Sequence, residues 1–270
     1  MKNIFKMEFF RLFRSSLWWL MLLIAVIASA INDLAIQFVM EFAQEFIGGE
    51  PGTIISYEDA IMSLTLKNSN VLIVIVLFAL IYINGLYRNG LHKSLTGIIQ
   101  PLYRVYIVDY VIQLLFILTT VILSAGVTII IFLAFGNVSF TGNINHVLMF
   151  YGAYFIAVSG IVALINFLFY LLTPKRFVGA LILGLVLVLI VVPLGGQIID
   201  IIIARFSSDP NNAFQITDYL NTANLTVIIT TNDSSIEPLK FYGKMMIIGG
   251  IEMVTGIGLS ILLTTKRDLV

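Results

Sequence analysis

Residues 105–135 read VYIVDYVIQLLFILTTVILSAGVTIIIFLAF, a run of 31 positions in which Asp109 is the single charged residue. About 20 apolar residues suffice to cross a hydrocarbon core ~30 Å thick. As a straight helix this run reaches about 46 Å, so it has to tilt or project beyond the membrane. At 100° per residue Asp109, Gln113, Thr120, Ser124 and Thr128 fall on one side of that helix. A polar stripe of this kind does not face lipid. It either lines a hydrated path or mobile subunit seam, or consists of small hydroxyl and amide groups that pack helices together.

Working outward, five further apolar stretches fit the same pattern: Leu17 to Ile36, Val71 to Tyr87, Val147 to Leu172, Phe177 to Val192 and Met245 to Thr264. The expected fold is therefore an all-α polytopic membrane protein with six transmembrane helices, one transmembrane domain over residues 1–270. Leu34, Ala35, Phe38, Val39, Phe42 and Phe46 form one helical face, with Asp33, Gln37, Glu41 and Glu45 in a stripe beside it. The first helix is thus expected to continue to about Gly48, where Gly48-Gly49-Glu50-Pro51-Gly52 stops it. Ser56 and Asp59 form a capping-box pattern for a short outer helix. The fifth stretch ends at Pro193. Gly195-Gly196 and the apolar run Ile198 to Phe206 then predict a bend and a re-entrant or surface segment in a large loop, residues 193–244. A basic region and apolar run before Ala28-Ser29-Ala30 also fit a cleaved signal peptide, but the apolar pattern continuing past that point favours a retained span.

Basic residues in short loops are held on the cytoplasmic side. The N-terminus, residues 88–104, Lys175-Arg176 and Lys266-Arg267 hold 11 of the 15 basic residues, and all four places fall on one side. Both termini are therefore expected in the cytoplasm, with ten acids from Glu41 through Glu237 on the other side. Trp18, Trp19, Tyr87, Tyr103, Tyr106 and Tyr170 are expected to form the inner aromatic belt.

With 59% hydrophobic and 11% charged residues, a soluble globular domain and a disordered chain are both excluded. A net charge of zero gives no reason to expect a nucleic-acid groove. Cysteine is absent, which removes thiolate metal sites, disulfides and thiol catalysis. The sequence contains no GxxxxGK[ST], HExxH or GxSxG pattern, so the chain is not expected to be an enzyme on its own. His92 and His146 fall on opposite sides of the bilayer and cannot share a metal. Charged groups inside spans carry more information, because each costs about 2.5–3.5 kcal/mol near a helix centre. Glu252 lies among Gly249, Gly250, Gly256 and Gly258, which permit close helix approach; either a functional or a structural pairing role is open. Asp109 lies near a helix end where Arg104 or water can satisfy it, and Asn166 reads as an interhelical hydrogen-bonding residue.

The N-terminal stretch MKNIFKMEFFRLFRSS, with Phe5, Phe9, Leu12 and Phe13 on one face, is similar to the inner-leaflet interfacial helix of ABC exporter permeases of the type-2 membrane family. The segment from Tyr87 to Arg104 resembles that family's cytoplasmic coupling region: Gly90, Pro101 and Arg104 match, whereas Asp109 and Arg88-Asn89 depart from its usual pattern. The ending TTKRDL is also similar. The resemblance implies coupling to an ATPase through Arg88, Asn89, Gly90, His92, Lys93, Pro101, Tyr103 and Arg104. It implies a translocation path or seam including Asp109, Gln113, Thr120, Ser124, Thr128, Asn166 and Glu252.

It further implies a bacterial cytoplasmic membrane location, separate ABC ATPase subunits carrying ATP and Mg, and a second permease chain, with no cofactor bound by this chain. The mostly apolar lining suits an amphipathic, antimicrobial-type peptide; lipid or drug export is the nearest variant. The rival from another class is an ion-coupled secondary transporter titrating Glu252 or Asp109. A nonconducting sensor or scaffold that binds a peptide through acidic outer loops is the third reading.

Overall fold

The computed structural model describes residues 2–47, 55–56, 69–88, 103–135, 138–139, 144–172, 198–203, 205 and 238–267. They form helices α1 (Lys2–Arg14), α2 (Ser16–Ile47), α3 (Ser69–Arg88), α4 (Tyr103–Ala134), α5 (Ile144–Leu172) and α6 (Pro238–Arg267). A two-residue parallel pairing joins β1 (Ile55–Ser56) to β2 (Val138–Ser139). Four helices contain segments long and apolar enough to cross a membrane: Ser16–Ala35, Tyr103–Ala134, Val147–Leu171 and Tyr242–Leu263. In α3 the apolar part, Val71–Leu86, is shorter. The chain is thus a helical, multi-pass type of membrane protein. The expected fifth span, Phe177 to Val192, the bend at Gly195-Gly196 and the helix after Ser56 lie outside the described residues. Residues 198–203 are helical, with Ile198, Ile199, Ile201 and Ile202 all exposed.

Helix ends follow local sequence. Ser15 separates α1 from α2: its N–H donates to the Leu12 carbonyl at 2.9 Å, and its Oγ accepts from the Leu17 N–H at 3.2 Å, an N-cap for α2. Beyond it α2 runs without Gly or Pro to Ile47, as the periodicity predicts. Pro238 opens α6 at a position where its missing N–H costs nothing, and the helix runs to Arg267. This start lies inside the stretch expected as loop 193–244, so the helix takes over the loop's last residues.

The core is aromatic and aliphatic, with α5 at its centre and α6 packed along α5. The residue pairing fixes directions. Ser29 meets Ser124 and Asp33 meets Thr128, so α2 and α4 run parallel, as do β1 and β2 beyond them. Phe150 meets Tyr242, and Ala157 and Ala163 lie against Gly249 and Gly256, so α5 and α6 also run parallel. The end of α5 and the start of α6 therefore sit at opposite ends of the bundle.

The α5–α6 seam relies on missing side chains. A Cβ on Gly249 would fall 2.9 Å from the Ala157 Cα, and one on Gly256 would fall 2.7 Å from the Ala163 carbonyl carbon. Gly250 and Gly258 have no such neighbour. Of the four glycines singled out in sequence, two thus carry the close approach. The Gly256→Val variant should lose about 1–3 kcal/mol, seen as lower thermal stability in detergent, because backbone cannot yield as a side chain can. Gly258→Ala, in open space, should be neutral or stabilising by up to about 1 kcal/mol.

Candidate functional site: polar clusters along α4

All five residues of the expected stripe on α4 are buried: Asp109, Gln113, Thr120, Ser124 and Thr128. The stripe does not meet one common partner. Three different groups of helices receive it, at successive levels.

At the end of the bundle that carries α1, Asp109 lies 3.4 Å from the hydroxyl of Tyr82 on α3. The same hydroxyl is 3.4 Å from Oε2 of Glu8 on α1. Arg11, one turn along α1, donates to that Glu8 oxygen at 2.6 Å. Glu8 is fully buried and its Oε1 has no hydrogen-bond partner among the described residues. Burial pushes the Glu8 carboxyl above the usual carboxylate range, while Arg11 and then the Tyr82 hydroxyl pull it partway back. Arg104, expected with water to satisfy Asp109, is exposed, and among the described residues Arg11 is a cation that acts on Asp109.

The face that α1 turns into the bundle is a separate finding. Phe5, Phe9 and Phe13 do share a row, with ring centroids 5.7 and 4.6 Å apart, but Phe9 and Phe13 are exposed. The face turned into the bundle is Ile4, Glu8 and Leu12. Spacing alone did contain this signal, since residues 4, 8 and 12 are four apart; a lone Glu among Phe residues hid it. The expected aromatic belt is corrected at three residues. Trp18, Tyr106 and Tyr170 are buried, Trp18 against Phe78 and Phe116 and Tyr106 edge-on to Tyr170, whereas Trp19 faces outward and donates its Nε1–H to the Phe13 carbonyl at 2.8 Å.

The second cluster joins α4 to α5 and α6. Asn166 donates to Gln113 Oε1 at 2.8 Å, the interhelical bond expected of it. Tyr106 and Ser260 are buried beside it. The third cluster joins α4 to α2 towards the other end: Ser29 donates to Ser124 Oγ at 3.0 Å, and Thr128 to Asp33 Oδ2 at 2.7 Å. Asp33 and Gln37 are buried while Leu34 and Phe38 point outward, so at these positions the polar side of α2 turns inward and the apolar side lies outside. Sequence reasoning placed Asp33 in a stripe but did not pair it with α4.

Glu252 is half-buried on α6, with Oε2 placed 3.1 Å from where a Cβ on Gly160 would stand. It sits on the α5–α6 seam, apart from the α4 clusters. Of the expected coupling residues, Arg88 ends α3, Tyr103 begins α4 half-buried, and Arg104 is exposed. Asn89, Gly90, His92, Lys93 and Pro101 lie outside the described residues. Among the described residues no three His, Asp or Glu side chains converge to hold a metal.

The Gln113–Asn166 bond generates a double-mutant test. Asn166→Leu strands the Gln113 amide in an apolar setting and should cost about 1–3 kcal/mol; adding Gln113→Leu should recover much of it, measured by thermal unfolding in detergent. Comparison of the chain with protein-family models, curated proteins and solved structures found no match.

Proposed function

We propose that this chain is the membrane-spanning subunit of an ATP-driven exporter of the ABC type-2 kind, drawing ATP hydrolysis from separate subunits. The observation that carries this reading is the tie between α1, α3 and α4. Glu8, Tyr82 and Asp109 bind the short N-terminal helix to the two helices whose ends, Arg88 and Tyr103, bracket residues 89–102. A displacement applied at that loop therefore moves α1, α3 and α4 together, which is what a chain without a phosphate loop needs in order to borrow a motor. In this reading Arg88, Lys93 and Arg104 face the ATPase, and the end of the bundle carrying α1 is cytoplasmic.

Six spans follow from the same reading. Because α5 and α6 run parallel, the chain between Leu172 and Pro238 has to return along the bundle, and Phe177 to Val192, a short apolar stretch of 16 residues, is the segment assigned to that crossing. Rows of outward apolar residues, including Leu20, Leu23, Ile27 and Ile31 on α2 and Ile247, Ile251 and Val254 on α6, are suited to lipid or a second permease chain. The cargo is an amphipathic peptide, with lipid-like molecules next, moved out across the bacterial cytoplasmic membrane. An ion-coupled transporter is the second reading, favoured by the buried carboxyls at both ends of the α4 stripe.

Tagged protein purified from its native membrane should bring down a subunit with a nucleotide-binding P-loop. Neutralising Arg88, Lys93 and Arg104 together should weaken that complex or lower its cargo-stimulated ATPase at least several-fold. Transport by the chain alone in vesicles, driven by a proton gradient and indifferent to ATP, would select the ion-coupled reading instead.

A further inference from the structure

Four polar side chains from three helices converge where α4, α5 and α6 meet. Asn166 on α5 donates its amide to Gln113 on α4 at 2.8 Å, and the Tyr106 hydroxyl, on α4 two turns before Gln113, lies close to Asn166 and to Ser260 of α6. All four are sealed from the surface, with exposures of 2% for Tyr106, 1% for Gln113 and Asn166 and 0% for Ser260. Yet the Tyr106 hydroxyl, Gln113 Nε2, Asn166 Oδ1 and Ser260 Oγ each lack a hydrogen-bond partner among the described residues. Buried polar atoms in folded proteins are met by protein or by ordered water, and four together are too costly to leave unmet.

Ser260 supplies an independent sign. A hydroxyl in an apolar helix has a default partner, the carbonyl one turn back along its own helix. Thr119, Thr128, Ser159 and Thr255 all take it, donating to the carbonyls of Leu115, Ser124, Phe155 and Ile251 at 2.9, 3.1, 2.6 and 2.8 Å. Ser260 does not, and its hydroxyl stands towards Tyr106 instead. The unmet groups are also of both kinds. The Gln113 amide nitrogen can only donate, Asn166 Oδ1 can only accept, and the two hydroxyls do either. An anion would be repelled by the Asn166 oxygen and a cation by the Gln113 amide hydrogens, and none of the four side chains carries a charge to offset either. A neutral molecule with two hydrogens to give and two lone pairs to receive matches the set, and complete burial selects the smallest one.

We infer that Tyr106, Gln113, Asn166 and Ser260 hold one buried water molecule, which accepts from the Gln113 amide, donates to Asn166 and closes on the two hydroxyls, joining α4, α5 and α6. Its consequence falls on α6. The glycine seam lets α6 lie close against α5, and the water adds a bonded reference for its rotation: Ser260, one turn beyond Gly256, comes to the site when Gly256 faces Ala163. The site requires neither an ATPase nor a cargo.

Infrared difference spectra of the full chain in nanodiscs test this, because the stretching band of a bound water shifts when its oxygen is replaced by oxygen-18, whereas hydroxyl and amide bands of the protein do not. Equilibrated in heavy water with and without oxygen-18, wild type minus Ser260→Ala and wild type minus Tyr106→Phe should each contain an O–D band that moves with the isotope. Thr255→Ala, which removes an exposed hydroxyl bonded to its own helix, should give none. Absence of the isotope-sensitive band from the difference spectrum of either folded variant, or its equal appearance with Thr255→Ala, overturns the site. A diffraction map of the wild-type chain fine enough to show ordered water needs no variant. Density bridging Gln113 Nε2 and Asn166 Oδ1 is expected there, and direct bonds closing the four side chains on one another, with no such density, overturn the site as well.

Discussion

Inside a bundle whose outer faces are apolar, a polar side chain has no water to fall back on and has to find its partner on a neighbouring helix. That constraint acts on α4 more than on any other described helix. Its buried stripe of Asp109, Gln113, Thr120, Ser124 and Thr128 fixes the rotation of α4 about its own axis, because any other rotation would turn a carboxylate and an amide towards lipid. Once that rotation is set, the outward row of Leu118, Ile122, Leu123, Ile129, Ile130 and Leu133 follows from the helix period. The partners follow too: α1 and α3 at one level, α5 and α6 at the next, α2 at the far one.

A different physics holds α6 to α5. No bond of comparable strength is needed there, because the two backbones approach directly at Gly160, Gly249 and Gly256 and gain dispersion contacts over a long parallel seam. The bundle thus combines a polar axis, which specifies register, with a glycine seam, which allows contact but specifies less. Glu252 stands on that seam, where Gly160 leaves the space its side chain occupies.

How far the sequence alone leads depends on whether a signal survives in a chain where both faces of most helices are apolar. The α4 stripe, the length of α2 and the existence of the helices were legible, since they rest on helical period and length. The inward turn of Glu8 was not, because Phe5, Phe9 and Phe13 make an equally regular face and only contact with Tyr82 shows which face is buried. Trp18 and Trp19 show the same ambiguity: adjacent, identical and near a helix end, one enters the core and the other looks outward. A belt tryptophan and a core tryptophan have the same local sequence, and tertiary packing alone separates them. The functional assignment depends on loop residues 89–102, whose chemistry is a pattern of charges and turns with no period to read.

The α4 stripe is interrupted at one position, and the interruption orders the rest. Phe116 occupies the same side of the helix as Asp109, Gln113 and Thr120, about two turns beyond Asp109. It stacks on Phe78 of α3 at 3.7 Å between centroids and meets Trp18 of α2 edge-on at 5.2 Å. Three rings therefore stand between the group at Glu8 and Asp109 and the group at Asp33 and Thr128, and the three side chains are among the most deeply buried in the bundle. A continuous polar line would offer protons or water a route along α4; an aromatic layer across it keeps the two carboxyl-bearing ends chemically separate. Any event that links the two ends has to move Trp18, Phe78 or Phe116. Trp18 lies directly after the α1–α2 break and touches Phe13, so the element best placed to move that layer is the short helix held in place by Glu8.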